Sequence, residues 1–186
     1  MSNTKIIIQA RTGSTRLPRK MILPFYENEG IFSLLLKKLT SAFDKNDIIL
    51  ATSVNENNDV LVEIAEKYGI NYFRGSENDV LQRFIDAAKE FNAENIIRVC
   101  ADNPFLDIFY IELLIEKFEK FNCDYLSYIT SDGTPSIKTH YGFWAEAVKL
   151  SALEKVRELT NENLYHEHVT NFIYANREIF DVNFFE

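Results

Sequence analysis

Four cationic side chains fall within ten residues near the amino terminus of a chain whose formal net charge is −8. They belong to Arg11, Arg16, Arg19 and Lys20, and no acidic residue occurs before Glu27. A short apolar run rich in isoleucine precedes them, so this first loop would follow a buried strand. Positive charge concentrated at such a strand end, in an acidic chain, predicts a site for an anionic ligand.

The side chains of the first loop suit the oxygen atoms of a polyphosphate. The guanidinium groups of Arg11 and Arg16 can each hold two phosphate oxygens, and Lys20 adds a compact point charge. Gly13 lets backbone N–H groups approach phosphate closely, and Ser14 adds a hydroxyl donor. The spacing matches neither a Walker A loop nor a dinucleotide fingerprint. A solvated basic loop that only joins a strand to a helix is the alternative interpretation.

A second group of candidate residues surrounds Asp102. The segment 98–107, RVCADNPFLD, places Asp102 just after another apolar run. A carboxylate at this position can hold Mg²⁺, which would neutralise and orient a triphosphate. Pro104 favours a turn, and Asp107 is suited to cap the following helix. The alternative for Asp102 is a carboxylate that only supports the turn or caps the helix.

The segment 74–84, RGSENDVLQRF, forms the third candidate. Gly75 would let the backbone approach a ligand, and Ser76 offers a hydroxyl to a polar edge of that ligand. Helix capping by Ser76, in the manner of a capping box, is the competing interpretation. Asp79 and Arg83 also have the spacing of an i,i+4 ion pair on a helix.

The elements that must position these loops alternate between strand and helix. Apolar runs predict strands over 4–9, 47–52, 71–74, 95–100, 124–129 and 180–185. Helical spacing and capping residues predict helices over 31–43, 59–68 and 163–176, after Ser76, after Asp107, and from a capping box at Ser151. The segment 140–150 is predicted as a strand or an extended crossover. The alternation predicts an α/β fold with a mainly parallel sheet, helices on both faces, and ligands at the carboxyl ends of the strands.

The composition of the chain limits the classes of protein to which it can belong. The chain has 186 residues and 46% hydrophobic content, which predicts one domain with a substantial core. Its acidic balance argues against nucleic acid as a partner. The apolar runs are too short for a signal sequence or a membrane span. The two cysteines, Cys100 and Cys123, predict reduced thiols in a cytoplasmic protein.

The stretch IIIQARTGSTRLPRKMILPF, residues 6–25, closely resembles the start of the cytidylyltransferases that activate sugars with CTP. This family includes CMP-KDO synthetase and acylneuraminate cytidylyltransferase. The Gln-Ala-Arg opening and the Ser-Thr-Arg-Leu-Pro core are similar in particular to the spore coat polysaccharide biosynthesis protein F group. The resemblance implies a three-layer α/β fold of the nucleotide-diphospho-sugar transferase (glycosyltransferase A-like) type. It also implies transfer of CMP from CTP to a sugar or sugar acid, with release of pyrophosphate and with Mg²⁺ as cofactor, in cell-surface polysaccharide biosynthesis.

The resemblance implies roles for individual residues of this chain. Asp102 would be the metal ligand and would act in catalysis with Arg11 and Lys20. The implied nucleotide-binding residues are Gln9, Ala10, Arg11, Gly13, Ser14, Arg16, Lys20, Gly75 and Ser76. The implied sugar-binding residues are Arg83, His140, Tyr141, Glu167 and His168.

Several alternatives stay open at this point. The family pattern usually continues into a further strand with another acidic metal ligand, so the single domain of residues 1–186 is expected to lack that segment. A nucleotide-sugar-dependent glycosyltransferase of the same fold would use a similar loop. A catalytically weak nucleotide-binding module is the other alternative. Family members are commonly dimers, and the candidates for a homodimer surface are Tyr141, Phe143, Trp144 and Tyr165.

Overall fold

A computed structural model of the chain describes residues 3–13, 17–139 and 141–186. The strands are β1 (Thr4–Gln9), β2 (Pro24–Tyr26), β3 (Glu29–Gly30), β4 (Ile48–Ser53), β5 (Asn71–Gly75), β6 (Asn95–Cys100), β7 (Tyr125–Tyr128), β8 (Glu146–Lys149) and β9 (Val182–Phe185). The helices are α1 (Ile31–Ala42), α2 (Asp59–Tyr68), α3 (Val80–Glu90), α4 (Ile108–Phe121), α5 (Leu150–Leu159), α6 (Asn163–Glu167) and α7 (Asn171–Ala175).

Across these described ranges, a seven-stranded sheet has the order β5-β4-β1-β6-β8-β7-β9. β1 pairs in parallel with β4 on one side and with β6 on the other, and β4 pairs in parallel with β5. β8 runs antiparallel to its neighbours β6 and β7, while β9 is parallel to β7. The predicted mainly parallel sheet is therefore confirmed, with β8 as its reversed strand. β2 and β3 form a separate hairpin.

The two faces of the sheet build two cores. Because side chains alternate across a strand, Ile6 and Ile8 of β1 pack in one core with residues of α1, α2 and α4. Ile7 packs in the other core with residues of α3, α5 and α7. The predicted arrangement of helices on both faces of a central sheet is confirmed. No helix in the described part of the chain is long and apolar enough to cross a membrane.

The helix starts follow some of the predicted caps and not others. Asp107 caps α4 as predicted, and its carboxylate accepts from the N–H of the second helical residue at 2.9 Å. Ser76 does not cap α3, because Asp79 lies at the cap position and accepts from the third helical N–H at 2.9 Å. The capping box predicted at Ser151 is also wrong. There, α5 begins at Leu150, directly after β8, and the Leu150 N–H donates to the carbonyl just before β6 at 2.9 Å.

The prediction of a single helix over 163–176 is wrong as well, because the helix is interrupted between α6 and α7. At the break, Val169 is fully buried in the core. The Thr170 hydroxyl donates to the buried carboxylate of Glu146 on β8 at 3.1 Å. These two contacts draw the backbone toward the sheet, and helical spacing cannot continue through them.

Candidate active site

A cavity of about 360 Å³ opens at the carboxyl ends of β1 and β6. The predicted site residues that line it are Gln9, Arg11, Gly13, Lys20, Asp102, Glu167 and His168. The lining also includes four residues to which the sequence analysis assigned no role in binding or catalysis: Met21, Val80, Arg98 and Cys100. The structure therefore brings together the first loop, the Asp102 segment and the end of α6.

A larger depression of about 570 Å³ lies at the opposite end of the sheet, beside the start of β6. It is lined by three carboxylates, those of Glu94, Glu119 and Glu154. Its one lysine, Lys149, donates from Nζ to a backbone carbonyl at 2.7 Å. This balance of charge disfavours a polyphosphate, so the chemistry of the lining, and not the volume, identifies the smaller cavity as the candidate site.

Lys20 and Asp102 form an ion pair at the cavity, with Nζ and Oδ2 2.7 Å apart. The two side chains come from loops 82 residues apart in the sequence. The loops lie side by side because β1 and β6 pair in parallel, with Gln9 opposite Cys100 at the strand ends. Both side chains are partly exposed, at 33% and 43%, so a ligand can reach each of them.

A second, looser ion pair joins the first loop to α6. Arg11 Nη2 and Glu167 Oε1 are 3.6 Å apart, beyond direct hydrogen-bond distance, and both side chains are largely exposed. His168 follows Glu167 along the same cavity wall. Arg11 is therefore free to exchange this contact for a ligand without losing a strong bond.

His166 is a structural residue that fixes α6 against α3. Its ring nitrogens lie 2.9 Å from Asp79 Oδ2 and 3.1 Å from the Thr160 carbonyl oxygen. The side chain is nearly buried, at 11% exposed. Asp79 thus pairs with His166, and the i,i+4 ion pair predicted between Asp79 and Arg83 is not among the ion pairs of the described residues.

Arg83, predicted to contact the sugar, is fully buried beneath the segment that precedes α3. Its Nη1 donates to the Ser76 carbonyl at 2.6 Å. Its Nε and Nη2 have no hydrogen-bond partner among the described residues. Burial, opposed by the charges of Glu77 and Asp79 and aided by the charge of Arg11, lowers the pKa of Arg83 to about 10. Arg83 thus carries a buried charge close to the first loop with two N–H groups unused.

Gly75 and Ser76 shape the backbone around Arg83. A Cβ on Gly75 would lie 2.8 Å from Phe73 Cε1 and 3.0 Å from Arg83 Cγ, so this glycine makes room for those two side chains. The Ser76 hydroxyl accepts from the Asp79 N–H at 3.0 Å, and its carbonyl is occupied by Arg83. The packing around Arg83 supplies a physical reason for Gly75 beyond the close ligand approach inferred from sequence.

A buried network anchors the first loop at Thr12. Asn58 Oδ1 accepts from the Thr12 N–H at 2.8 Å and from the Thr12 hydroxyl at 3.1 Å. Asn58 Nδ2 donates to Ser53 Oγ at 2.6 Å, and the Ser53 hydroxyl in turn donates to Glu77. Beyond Thr12, the Arg19 N–H closes the loop on the Thr12 carbonyl at 3.0 Å. These contacts hold the stem of the first loop, and none of them was predicted from sequence.

The remaining predicted residues fall into three groups. Ala10 packs its side chain in the core and donates its N–H to the Ala51 carbonyl at 3.4 Å, so it can offer a ligand little more than its own carbonyl. Tyr141 is exposed and stacks on Phe143, with ring centroids 6.3 Å apart. The next residue, Gly142, packs against Asn103 beside Asp102. The predictions for Ser14, Arg16 and His140 lie outside the described residues.

The proposed dimer surface is only partly exposed. Tyr141 and Phe143 are exposed, together with nearby Phe105. Trp144 instead packs against the core, and Tyr165 packs edge-to-face on Phe172 with centroids 4.9 Å apart. The exposed aromatic patch therefore consists of Tyr141 and Phe143 together with Phe105 of the loop after β6, and it excludes Trp144 and Tyr165.

The cavity also contains a thiol. Cys100 ends β6 and lines the cavity, and burial raises the pKa of its thiol, with the charge of Arg98 acting in the opposite sense. Cys100 and Cys123 are both free. A neutral thiol at this wall contributes shape and no charge at neutral pH.

A mainly parallel seven-stranded sheet with a cationic loop after its first strand is the nucleotide-diphospho-sugar transferase fold, and the family match places the protein among the nucleotidyltransferases. The family model described as cytidylyltransferase matches residues 5–185, and the chain belongs to this family.

The chain is also similar to curated relatives and to solved structures. The chain is 38% identical over 180 residues to protein MJ1063 of Methanocaldococcus jannaschii, covering 97% of this chain and 70% of the relative. It is 34% identical over 190 residues to the spore coat polysaccharide biosynthesis protein SpsF of Bacillus subtilis, covering 100% and 76%. A cytidylyltransferase structure from Leptospira borgpetersenii superposes with a TM-score of 0.89 at 31% identity, covering 100% of this chain and 76% of that one. A CMP:2-keto-3-deoxy-manno-octonic acid synthetase complexed with CTP shares the fold, with a TM-score of 0.74 at 14% identity and coverage of 100% and 90%.

Proposed function

We propose that this protein transfers CMP from CTP to a sugar or sugar acid, with release of pyrophosphate, in the synthesis of a cell-surface polysaccharide. The observation that carries the proposal is the cavity in which Arg11 and Lys20 of the first loop face Asp102 at the end of β6. Membership of the cytidylyltransferase family supports the choice of CTP, and similarity to a spore coat polysaccharide biosynthesis protein supports the pathway.

The residues of the cavity suit a transfer that depends on position and charge. An acceptor oxygen attacks the α-phosphorus of CTP, the bond from that phosphorus to the bridging oxygen breaks, and pyrophosphate leaves while the acceptor proton passes to water. Charge that builds up on the phosphate oxygens would be stabilised by Arg11 and Lys20. In this proposal the triphosphate replaces Asp102 as the partner of Lys20, since the pair is accessible and its two members come from different loops.

Asp102 is the residue that would hold Mg²⁺. No group of three potential metal ligands converges within residues 3–13, 17–139 and 141–186, so a site built by protein alone is not present there. A single accessible carboxylate beside a cationic loop nevertheless fits Mg²⁺, which commonly binds through one or two carboxylates, substrate phosphates and water. When bound, the ion would neutralise phosphate charge and orient the triphosphate.

The acceptor sugar would lie on the α6 side of the cavity. Glu167 and His168 line that wall and can hydrogen-bond hydroxyl groups. Arg83 lies behind it with two N–H groups unused, and they suit an anionic oxygen if the segment that covers Arg83 moves on binding. Tyr141, on the segment that packs beside Asp102, would border the same space.

Two further features of the protein belong to the proposal. The free thiols of Cys100 and Cys123 fit a reducing compartment, so we place the reaction in the cytoplasm. The exposed aromatic rings of Phe105, Tyr141 and Phe143 fit a surface between two copies of the chain, which light scattering during size-exclusion chromatography would detect as a doubled mass.

The direct test is pyrophosphate release from each of the four nucleoside triphosphates, with Mg²⁺ and a panel of sugar acids and sugar phosphates. We expect release with CTP and one class of acceptor, and loss of release when Mg²⁺ is chelated. Absence of release with every pairing would refute the proposal. Transfer from a nucleoside diphosphate sugar without pyrophosphate would identify a glycosyltransferase instead.

Two variants locate the reaction at the cavity. Lys20→Met and Asp102→Asn should each reduce turnover at least about 100-fold. The Lys20 charge would act on the phosphates directly, and the Asp102 charge would act on them through Mg²⁺. Lys89→Met is a matched control, since Lys89 forms an ion pair of the same 2.7 Å length with Glu154 between α3 and α5. Activity of Lys20→Met equal to that of Lys89→Met would place the reaction elsewhere.

A further inference from the structure

A buried polar cluster forms part of the inner wall of the cavity, on the sheet face covered by α3 and α5. Arg98 of β6 and Glu146 of β8 form its centre, and their side chains are 9% and 4% exposed. Arg98 Nη1 donates to Glu146 Oε2, and Arg98 Nη2 donates to Gln9 Oε1 at 2.9 Å. Because Gln9 and Arg98 both line the cavity, this cluster links the sheet interior to the ligand space.

The Glu146 carboxylate is held in one orientation. The Tyr125 hydroxyl donates to Oε1, and the Thr170 hydroxyl lies 3.1 Å and 3.3 Å from the two carboxylate oxygens. Together with Arg98, these donors come from β7, β6 and the turn before α7. A carboxylate fixed by three donors on separate elements fixes the direction of the guanidinium that it binds.

The orientation of Arg98 determines which end of the Gln9 carboxamide faces the ligand. A guanidinium carries only donors, so the Gln9 atom that faces it must be the oxygen. The amide nitrogen of Gln9 is then turned away from Arg98, and none of the described residues accepts from it. We infer that Arg98, clamped by Glu146, positions Gln9 so that its amide donates a hydrogen bond to an acceptor atom of the bound nucleotide.

The charge of Arg98 is not the feature that a ligand would use. Its positive charge is balanced by Glu146 in direct contact, and the pair is neutral as a unit. Such a buried pair generally adds little to stability beyond what well-packed apolar side chains would give. Arg98 and Glu146 are therefore positioning residues, and Gln9 is the member of this cluster that touches the nucleotide.

This inference rests on the proposed function and assigns a hydrogen-bond donor, the Gln9 amide, to one wall of the site. The test uses titration calorimetry with Mg²⁺ and whichever of the four nucleoside triphosphates the wild-type chain binds most tightly. Gln9→Met removes the amide at nearly constant length. We expect it to weaken nucleotide binding about fivefold or more, as loss of one ligand hydrogen bond predicts.

The positioning role is tested by removing the ion pair while keeping Gln9. Arg98→Met and Glu146→Gln are made together, so that no charge is left buried alone. We expect this double variant to keep its far-ultraviolet circular dichroism and to bind nucleotide about as weakly as Gln9→Met. Added to Gln9→Met, the double substitution should cause no further loss, because both changes act through the same amide.

Gln82→Met is the matched control. Gln82 Oε1 also accepts from an arginine, Arg157 Nε at 3.0 Å, but Gln82 does not line the cavity. Its substitution should leave nucleotide affinity unchanged.

The inference is overturned if Gln9→Met binds nucleotide as the wild type does, or if losses from Gln9 and from the ion pair add. If the double variant does not fold, the Gln9→Met result decides alone. A wild-type chain that binds no nucleotide refutes this inference and the proposed function together, whereas preference for another nucleotide refutes only the proposed function.

Discussion

Replacing the fully buried Arg83 by methionine should leave the folded protein nearly as stable as before, or more stable. The burial that lowers the pKa of Arg83 to about 10 disfavours its charged form by roughly 3 kcal/mol. Because this pKa lies below that of the unfolded chain, the penalty acts at every pH below about 10 and is relieved only above it.

The contact that Arg83→Met removes is smaller than this penalty. The donor bond from Nη1 to the Ser76 carbonyl contributes about 2 kcal/mol, the usual range for a bond with one charged partner. The two remaining N–H groups have no partner among the described residues to lose. We therefore expect the free energy of unfolding to rise by about 1 kcal/mol and to differ from wild type by less than about 1.5 kcal/mol.

Urea denaturation at neutral pH, followed by the fluorescence of Trp144, the one tryptophan of the chain, measures this difference. Arg98→Met is the contrasting variant, because it leaves Glu146 buried without its cation and should lower the free energy of unfolding by about 3–5 kcal/mol. A loss above about 3 kcal/mol in Arg83→Met would refute the reasoning, since the arginine would then be a net stabilising group.

Three further predictions concern packing, the first loop and the thiol. Gly75→Ala should lower the free energy of unfolding by about 1–3 kcal/mol, because the new methyl group would lie 2.8 Å from Phe73; an unchanged urea midpoint would contradict the close packing. Asn58→Ala leaves the buried Thr12 N–H without its acceptor. Calorimetry should then show weaker nucleotide binding, and urea denaturation a free energy of unfolding lower by about 1–3 kcal/mol. Wild-type values in both measurements would show that this anchor is dispensable. Burial raises the pKa of Cys100, so at pH 8 it should react with iodoacetamide more slowly than in urea, with the rate rising at higher pH; equal rates in the two conditions would argue against burial.

Local signals in the sequence were sufficient to predict the bounds of several elements, including the two strands that position the site. β1, β6 and α2 have the predicted bounds, because each is marked by a compact apolar run or a helical stripe. Gly69 ends α2 at φ 73°, a left-handed conformation that glycine adopts without strain. Since β1 and β6 were placed correctly, the rule for carboxyl strand ends put Lys20 and Asp102 at the same edge of the sheet.

The order of strands in the sheet, by contrast, could not be inferred from the sequence. Arg98 and Glu146 are 48 residues apart, and they meet only because β8 inserts antiparallel between β6 and β7. The alternation of β6 did carry one usable signal: Arg98 and Cys100 lie on the same face of the strand as the buried Ile96. A charged residue at an inward position of a buried strand implies a partner, although not which one.

Tertiary contacts also overrode helix periodicity near the carboxyl terminus. The pattern of 163–176 is helical in sequence, but Val169 enters the core and Thr170 bonds to Glu146. Arg83 shows the same limit, since its spacing from Asp79 suggested a surface ion pair while Asp79 pairs with His166. In each case a partner distant in sequence decides between two locally acceptable conformations.

The two anchors on either side of residues 167–169 bear on how the cavity wall could change in evolution. His166 ties one side of Glu167 and His168 to Asp79, and Thr170 ties the other side to the sheet through Glu146. Of the three residues between the anchors, Val169 is buried in the core, whereas Glu167 and His168 are exposed and line the cavity. Mutations at Glu167 and His168 can therefore accumulate without unfolding the chain, and under the proposed function this short stretch would allow the acceptor to change while Arg11, Lys20 and Asp102 stay constant.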